Sequence, residues 1–142
     1  LFCNAGVEPY IITADWHSIL IAADNKEKIE EGGPLRKYVR GLECTDNCSS
    51  ITIKFYLKFH GVCFIFESVA QKKGEVYHTR YMGENIIKFI RISDRTIVFC
   101  LENFDGVKTT KLTQLLGSKD GNLSSDTRSQ PQGAYNTTLY PF

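Results

Sequence analysis

Apolar and polar residues alternate along much of this chain with a period of two. The clearest run is Ser50 to Phe59, where Ile51, Ile53, Phe55, Leu57 and Phe59 share one face and Thr52, Lys54, Tyr56 and Lys58 the other. That period marks a strand with one buried side. An isoleucine-rich run from Trp16 to Ala23, opened by the only tryptophan, predicts an earlier strand. Leu35, Lys37 and Val39, alternating with Arg36, Tyr38 and Arg40, predict the next one, from Leu35 to Arg40. After a turn at His60-Gly61 the pattern returns from Val62 to Ala70, from Val76 to Met82, from Ile86 to Ile92, from Thr96 to Leu101 and from Thr109 to Leu116. The turns between are Lys72-Lys73-Gly74-Glu75, Gly83-Glu84-Asn85 and Ser93-Asp94-Arg95, with a looser stretch from Glu102 to Lys108.

Eight strand candidates joined mostly by short turns predict an all-β fold, an eight-stranded up-and-down antiparallel barrel, because closure removes exposed edges. Such a barrel either fills with side chains or holds one small ligand. Between the first two strands, Asp24 to Pro34 forms a polar loop longer than a hairpin needs, and Gly32-Gly33-Pro34 forces a turn. Loops of this length in compact domains tend to be lids or binding elements.

Length sets one domain over 1–142, with the barrel over 15–123 between an irregular segment at 1–14 and a tail at 124–142 expected to be mobile. Ser124 or Ser125 is placed to cap a helix, but Pro131 limits it to about two turns. A formal net charge of +1 with dispersed lysines and arginines argues against a nucleic-acid partner, and no apolar run is long enough for a membrane span. No leader precedes Leu1, so either a signal peptide has been removed or the chain is a piece of a longer one. Five cysteines and three sequons, at Asn47, Asn122 and Asn136, favour an oxidising, extracellular compartment for a secreted protein. No Gly-x-Ser-x-Gly, His-Glu-x-x-His, phosphate loop or converging carboxylate pair is present, so no catalytic residue and no cofactor is expected.

Ala14-Asp15-Trp16 at the first strand, the run Ala22 to Arg36 and the pair Cys44-x-x-x-Cys48 together resemble the lipocalins, most closely the odorant-binding and aphrodisin-like branch. The resemblance covers roughly Asp15 to Ser125, with Ser93-Asp94-Arg95 at the family's second motif and Lys119 where an arginine usually packs over the tryptophan. Ala14 departs from the family's glycine. The family's long C-terminal helix is truncated or absent, as is the terminal cysteine that bridges to the position of Cys63, so Cys63 loses that partner and its pairing with Cys3 stays open.

This resemblance implies a carrier of small hydrophobic odorants or pheromones, acting as a monomer or weak homodimer. Carried over by position, the pocket residues are Ile21, Leu35, Val39, Phe55, Leu57, Phe66, Tyr81, Asn85, Ile87, Leu101 and Leu116, with Asn85 and Tyr81 the polar candidates. Strand alternation adds Phe64, Ser68 and Phe89 to the interior and turns Cys63 and Cys100 outward, which argues against a cavity isomerase built on Cys100. Without the resemblance, the same side chains read as the core of a filled barrel. Burying a ten-carbon odorant removes about 250 Å² of apolar surface from water, worth roughly 6 kcal/mol before ordering costs. Micromolar affinity corresponds to about 8 kcal/mol, so shape and area alone come near it and broad selectivity follows.

Lys37 shares a face with Leu35 and Val39. Either it snorkels to the barrel mouth, the favoured reading, or it meets an acidic or aldehyde ligand. In the family the loop holding Lys26 to Glu31 overhangs the open end, so it is expected to gate entry. Cys44 and Cys48 suit a disulfide, a metal half-site or a redox pair. No metal site is expected, because His17, His60 and His78 are scattered, and redox pairs usually use Cys-x-x-Cys at a helix start, which favours the disulfide.

Overall fold

A computed structural model of the chain describes residues 12–118 and 140–141. Among these residues nine strands follow in order: β1 (Ala14–Ala23), β2 (Tyr38–Thr45), β3 (Ser50–Phe59), β4 (Val62–Lys73), β5 (Val76–Arg80), β6 (Glu84–Ser93), β7 (Thr96–Phe104), β8 (Thr109–Ser118) and the two-residue β9 (Tyr140–Pro141). Each of β2 to β8 pairs antiparallel with its sequence neighbour, and β1 pairs with β8 along one edge and with β2 along the other. The eight strands thereby close into the expected barrel. β9, which the alternation did not reveal, pairs with β1 at Leu20↔Pro141 and Ile21↔Tyr140. The expected helix at Ser124 or Ser125, the position of Lys119 and residues 119–139 and 142 lie outside the described residues, whereas Tyr140 and Pro141, within the tail expected to be mobile, are paired with β1.

Closure requires β1 to pair with both β8 and β2, and it does so by dividing its length between them. Ala14 and Asp15 face Leu42 and Gly41 of β2, whereas Trp16 onward runs along β8 with a register break between Ser18 and Leu20. A break of this kind adds local twist and re-aims the strand. One end of the barrel is plugged by Trp16, whose indole N–H donates to the carbonyl of Ile12 at 2.6 Å. Ile12, Leu42, Ile97 and Leu116 belong to the same buried core. A separate apolar cluster of Val98, Cys100 and Leu115, with Ile19, Leu20 and Ile90 against it, follows from the opposite parity of β7 and β8.

The second strand begins three residues later than its alternation predicts. Leu35, Arg36 and Lys37 lie in a turn whose amides bond back into the loop: Leu35 N–H to the Lys28 carbonyl at 2.9 Å and Lys37 N–H to the Leu35 carbonyl at 3.0 Å. Pro34 has no N–H to offer a ladder, and Gly33 passes so close to Lys28 that an added Cβ would sit 2.5 Å from its carbonyl oxygen. Local hydrogen bonding therefore displaces strand pairing here. Elsewhere the strands run beyond their apolar patterns, with β4 extending to Lys73, β6 starting at Glu84 and β7 reaching Phe104. The ladder needs only backbone groups, so charged residues continue it.

Cys44 and Cys48 form the expected disulfide, with Cα atoms 4.5 Å apart. It closes the β2–β3 turn, in which Asp46, Asn47 and Cys48 all have positive φ. Three consecutive L-residues in the left-handed region are costly without restraint. The cross-link supplies it, and the Tyr77 hydroxyl adds a bond to the Cys48 carbonyl at 2.7 Å. Cys63 carries a free, exposed thiol.

Candidate functional site

Inside the barrel an enclosed space is lined by Leu35, Lys37, Val39, Ile53, Phe55, Ser68, Thr79, Ile87, Phe99, Leu101, Leu112 and Gln114. Leu35 and Lys37 arrive from the turn before β2, and the other residues by strand parity. Ile53 and Phe55 are two apart on β3, Phe99 and Leu101 two apart on β7, and Leu112 and Gln114 two apart on β8. The space left open among them measures about 20 Å³, enough for a water molecule but far less than a ten-carbon chain requires.

Five of the eleven expected pocket residues, Leu35, Val39, Phe55, Ile87 and Leu101, line this space. Ile21, Leu57 and Leu116 are buried in the surrounding core without lining it. Tyr81 packs edge-on to Phe55, with ring centroids 5.3 Å apart. Phe66 stacks on the other side of Phe55 at 5.7 Å but is 40 % exposed, and Phe64, also expected inside, is 46 % exposed. The cause is the short β5. Its ladder with β4 covers only Gln71, Lys72 and Lys73, and Thr79 reaches no further than Ser68 and Val69, so residues 62–67 of β4 extend past their neighbour.

Asn85 is fully buried, yet its polar atoms are spent on the fold. Its amide donates to the Tyr81 carbonyl at 2.9 Å, and its own carbonyl accepts from Asn103 at 2.9 Å. It pins the β5–β6 turn and is not among the lining residues. Burial of a polar side chain signals a satisfied network at least as often as a ligand contact.

Lys37 corrects the snorkelling expectation. Its ammonium nitrogen lies 3.9 Å from the ring centre of Tyr81 and 4.9 Å from that of Phe55, within the lining of the cavity. Loss of hydration lowers its pKa to about 7. Two aromatic faces offset part of that cost. Among the described residues Nζ has no hydrogen-bonding or acidic partner. The backbone that carries it is held by a buried relay: Gln114 donates through Nε2 to the Lys37 carbonyl at 2.8 Å, Ser18 donates to Gln114 Oε1 at 2.6 Å, and Val39 N–H donates to Ser18 Oγ at 2.7 Å. Nothing in the alternation foretold Gln114, Thr79 or this relay, since each is a polar residue on an inward face.

The loop after β1 is fastened across the barrel end. Lys28 pairs with Asp105 at 2.9 Å, Lys108 with Glu27 at 2.8 Å, and the Asn25 side-chain amide bonds to the Thr109 carbonyl at 3.0 Å. Amides of Lys108 and Val107, together with Lys28, hold the Asp105 carboxyl well below the usual carboxylate range. The Lys108 ammonium likewise lowers Glu27, mainly through their hydrogen bond. Cys100 is in the separate apolar cluster rather than the cavity, and it is disulfide-bonded, so it offers the cavity no thiol for isomerase chemistry.

Residues 14–129 match the family described as Lipocalin / cytosolic fatty-acid binding protein family. Allergen Bos d 2 of Bos taurus is 43 % identical over 111 residues, 78 % of this chain and 64 % of the relative, so this chain spans just under two thirds of that protein. A male-specific submandibular salivary gland protein of Mesocricetus auratus is 42 % identical over 80 % of this chain and 67 % of its own length. Aphrodisin of the same animal is 43 % identical over 63 % of this chain and 54 % of its own. In three dimensions the chain superimposes on the bovine allergen with a TM-score of 0.84 at 35 % identity, covering 95 % of this chain and 94 % of that one. The aphrodisin crystal structure gives 0.82 at 32 %, covering 91 % and 92 %. With the barrel, the tryptophan-plugged end and the Cys44–Cys48 link on one chain, this protein belongs to the lipocalin family.

Proposed function

We propose that this protein is a secreted carrier that binds small hydrophobic molecules, of the odorant or pheromone type, reversibly inside its barrel. The observation that carries the reading is the largely apolar space enclosed by β2 to β8, with a single amine projecting into it. Leu35, Val39, Phe55, Ile87 and Leu101 contact the ligand, joined by Ile53, Phe99 and Leu112; Ile21, Leu57 and Leu116 back them, and Tyr81 and Phe66 border the entry. Secretion is supported by the Cys44–Cys48 disulfide, by a relative named for a salivary gland and by a solved structure titled as a sex pheromone.

A second reading, a filled barrel acting through surface contacts, is favoured by the size of the space, about 20 Å³. The two differ in what happens to Lys37. A carrier swings its aminobutyl arm aside and opens room; a filled barrel keeps it packed. Titration of the oxidised protein with a fluorescent apolar probe, followed by displacement with medium-length alcohols, tests the choice. Saturable micromolar binding with displacement supports the carrier. Absence of binding by a protein that melts cooperatively sinks it in favour of the filled barrel.

A further inference from the structure

We propose that Lys37 is a covalent recognition residue of the cavity, its side-chain amine forming a reversible imine with aldehyde ligands. The proposal rests on the carrier reading above and names the ligand class that the cavity selects. Four observations carry it. The amine lies inside the cavity rather than at the surface, 3.9 Å from the centre of Tyr81 and 4.9 Å from that of Phe55. It has no acidic or hydrogen-bonding partner among the described residues, so no internal ion pair has to break before it reacts. Its backbone is fixed from β8 by Gln114, which places the root of the side chain while leaving the arm to move. The remaining walls, among them Leu35, Val39, Ile87 and Leu101, suit an alkyl chain attached to the reacting carbon.

The chemistry closes without any outside reagent. Nζ attacks the carbonyl carbon to give a carbinolamine. The carbon–oxygen bond then breaks, both amine hydrogens leave with the oxygen as water, and a carbon–nitrogen double bond remains. Most lysines are protonated at neutral pH and cannot attack; burial holds this one near pH 7, where a substantial fraction is the free amine. A protonated imine keeps the positive charge at the nitrogen, where the Tyr81 and Phe55 faces already stabilise a cation. Hydrolysis reverses the bond, so the ligand remains releasable.

A carboxylate ligand is the main competitor, because an ammonium attracts it. Among the described lining residues no second cation stands with Lys37, which favours the aldehyde. Gln114, the amide in the lining, has one N–H on the Lys37 carbonyl and its oxygen on the Ser18 hydroxyl, which fixes its orientation toward the backbone.

Decanal, decanol and decanoate would be compared by probe displacement on the wild-type protein, K37M and K37R, with melting curves on each. Cyanoborohydride in a parallel incubation reduces any imine to a stable amine, located by peptide mass. The expected result is decanal binding at least about tenfold tighter than decanol, falling to within about twofold in both variants. A Lys37 peptide heavier by one decanal less one oxygen atom is expected alongside. K37R keeps the cation without a nucleophile, so loss of the preference in that variant cannot be assigned to charge. Equal binding of decanal and decanol with no adduct on Lys37 overturns the imine while leaving the carrier intact. Preference for decanoate over decanal overturns it in favour of an ion pair. If none of the three ligands displaces the probe from folded protein, the carrier reading fails and the imine falls with it.

Discussion

Lys37 Nζ stands 3.9 Å above the ring of Tyr81, with no acidic partner among the described residues. A cation in that position is stabilised by the ring and destabilised by lost water, and the lowered pKa means that the second effect is the larger. The protein therefore holds a lysine at a cost in stability, within the lining of the barrel cavity.

This cost has a definite pH dependence. In the unfolded chain Lys37 titrates near 10.5 and in the folded one near 7. Between these values the unfolded state binds more protons, so stability rises with pH across that window and the penalty is fully present below it. The groups facing Nζ are the rings of Tyr81 and Phe55, and burial raises the Tyr81 phenol pKa, so that phenol stays neutral through the lower part of the window. Replacement by methionine keeps the volume and removes the charge. K37M should gain about 2 kcal/mol at pH 7 and lose most of the upward slope toward pH 10, read by urea unfolding at several pH values.

The same residue marks where the sequence was legible and where it was not. Strands from Ser50 to Phe59 and from Thr109 onward were visible because a buried face imposes a period of two on side chains, and the barrel follows from their number and short turns. Alternation continued through Leu35 and Lys37, although these residues form a turn held by the Lys28 carbonyl, because side-chain parity does not record what backbone amides bond to. Lys37 was assigned to the mouth on the average behaviour of lysines. Its actual place depends on Phe55 and Tyr81, residues 18 and 44 positions away in sequence, brought together by the closed sheet. Phe64 and Phe66 obey their expected parity yet are exposed, since the length of β5 relative to β4 is not written in β4 itself.

Ser18, Gln114 and the backbone of Lys37 and Val39 form a buried relay joining β1, β8 and the start of β2. S18A would strip the Val39 amide of its acceptor and Gln114 of its donor. A buried polar group left unpaired costs about 1–3 kcal/mol, so the variant should lose about 2 kcal/mol with an unchanged denaturant slope. A loss below a few tenths would mean that water replaces the hydroxyl.

The Cys44–Cys48 link restrains a turn with three successive left-handed residues. Opening it in the C44S/C48S double variant frees the unfolded chain and lets that turn relax. Loss of the short ring alone costs about 2 kcal/mol in the chain-entropy account. The melting temperature should fall, while probe affinity, measured well below the new midpoint, stays near wild type because neither cysteine lines the cavity.

The loop from Asp24 to Pro34 is tied to the β7–β8 turn by Lys28–Asp105 and Lys108–Glu27. If this clamp gates the barrel, weakening it should speed both entry and exit of ligand with little change in their ratio. D105N removes the charge facing Lys28 but still leaves an oxygen to accept from the amides of Val107 and Lys108, so the turn keeps its shape. Dissociation of a fluorescent probe, followed by stopped flow, should accelerate about threefold in D105N. Raised salt should accelerate the wild type in the same direction, because charge pairs of this exposure are screened. Acid should act differently. Hydrogen bonds from Lys108, Lys28 and Val107 depress the Asp105 carboxyl pKa, and the Lys108 ammonium depresses that of Glu27. A depressed carboxyl contributes above its unfolded pKa and is lost only as pH falls through the folded one, so the clamp should hold at pH 5. Rates that are insensitive to both D105N and salt would remove the gate and leave the loop a solvated connection.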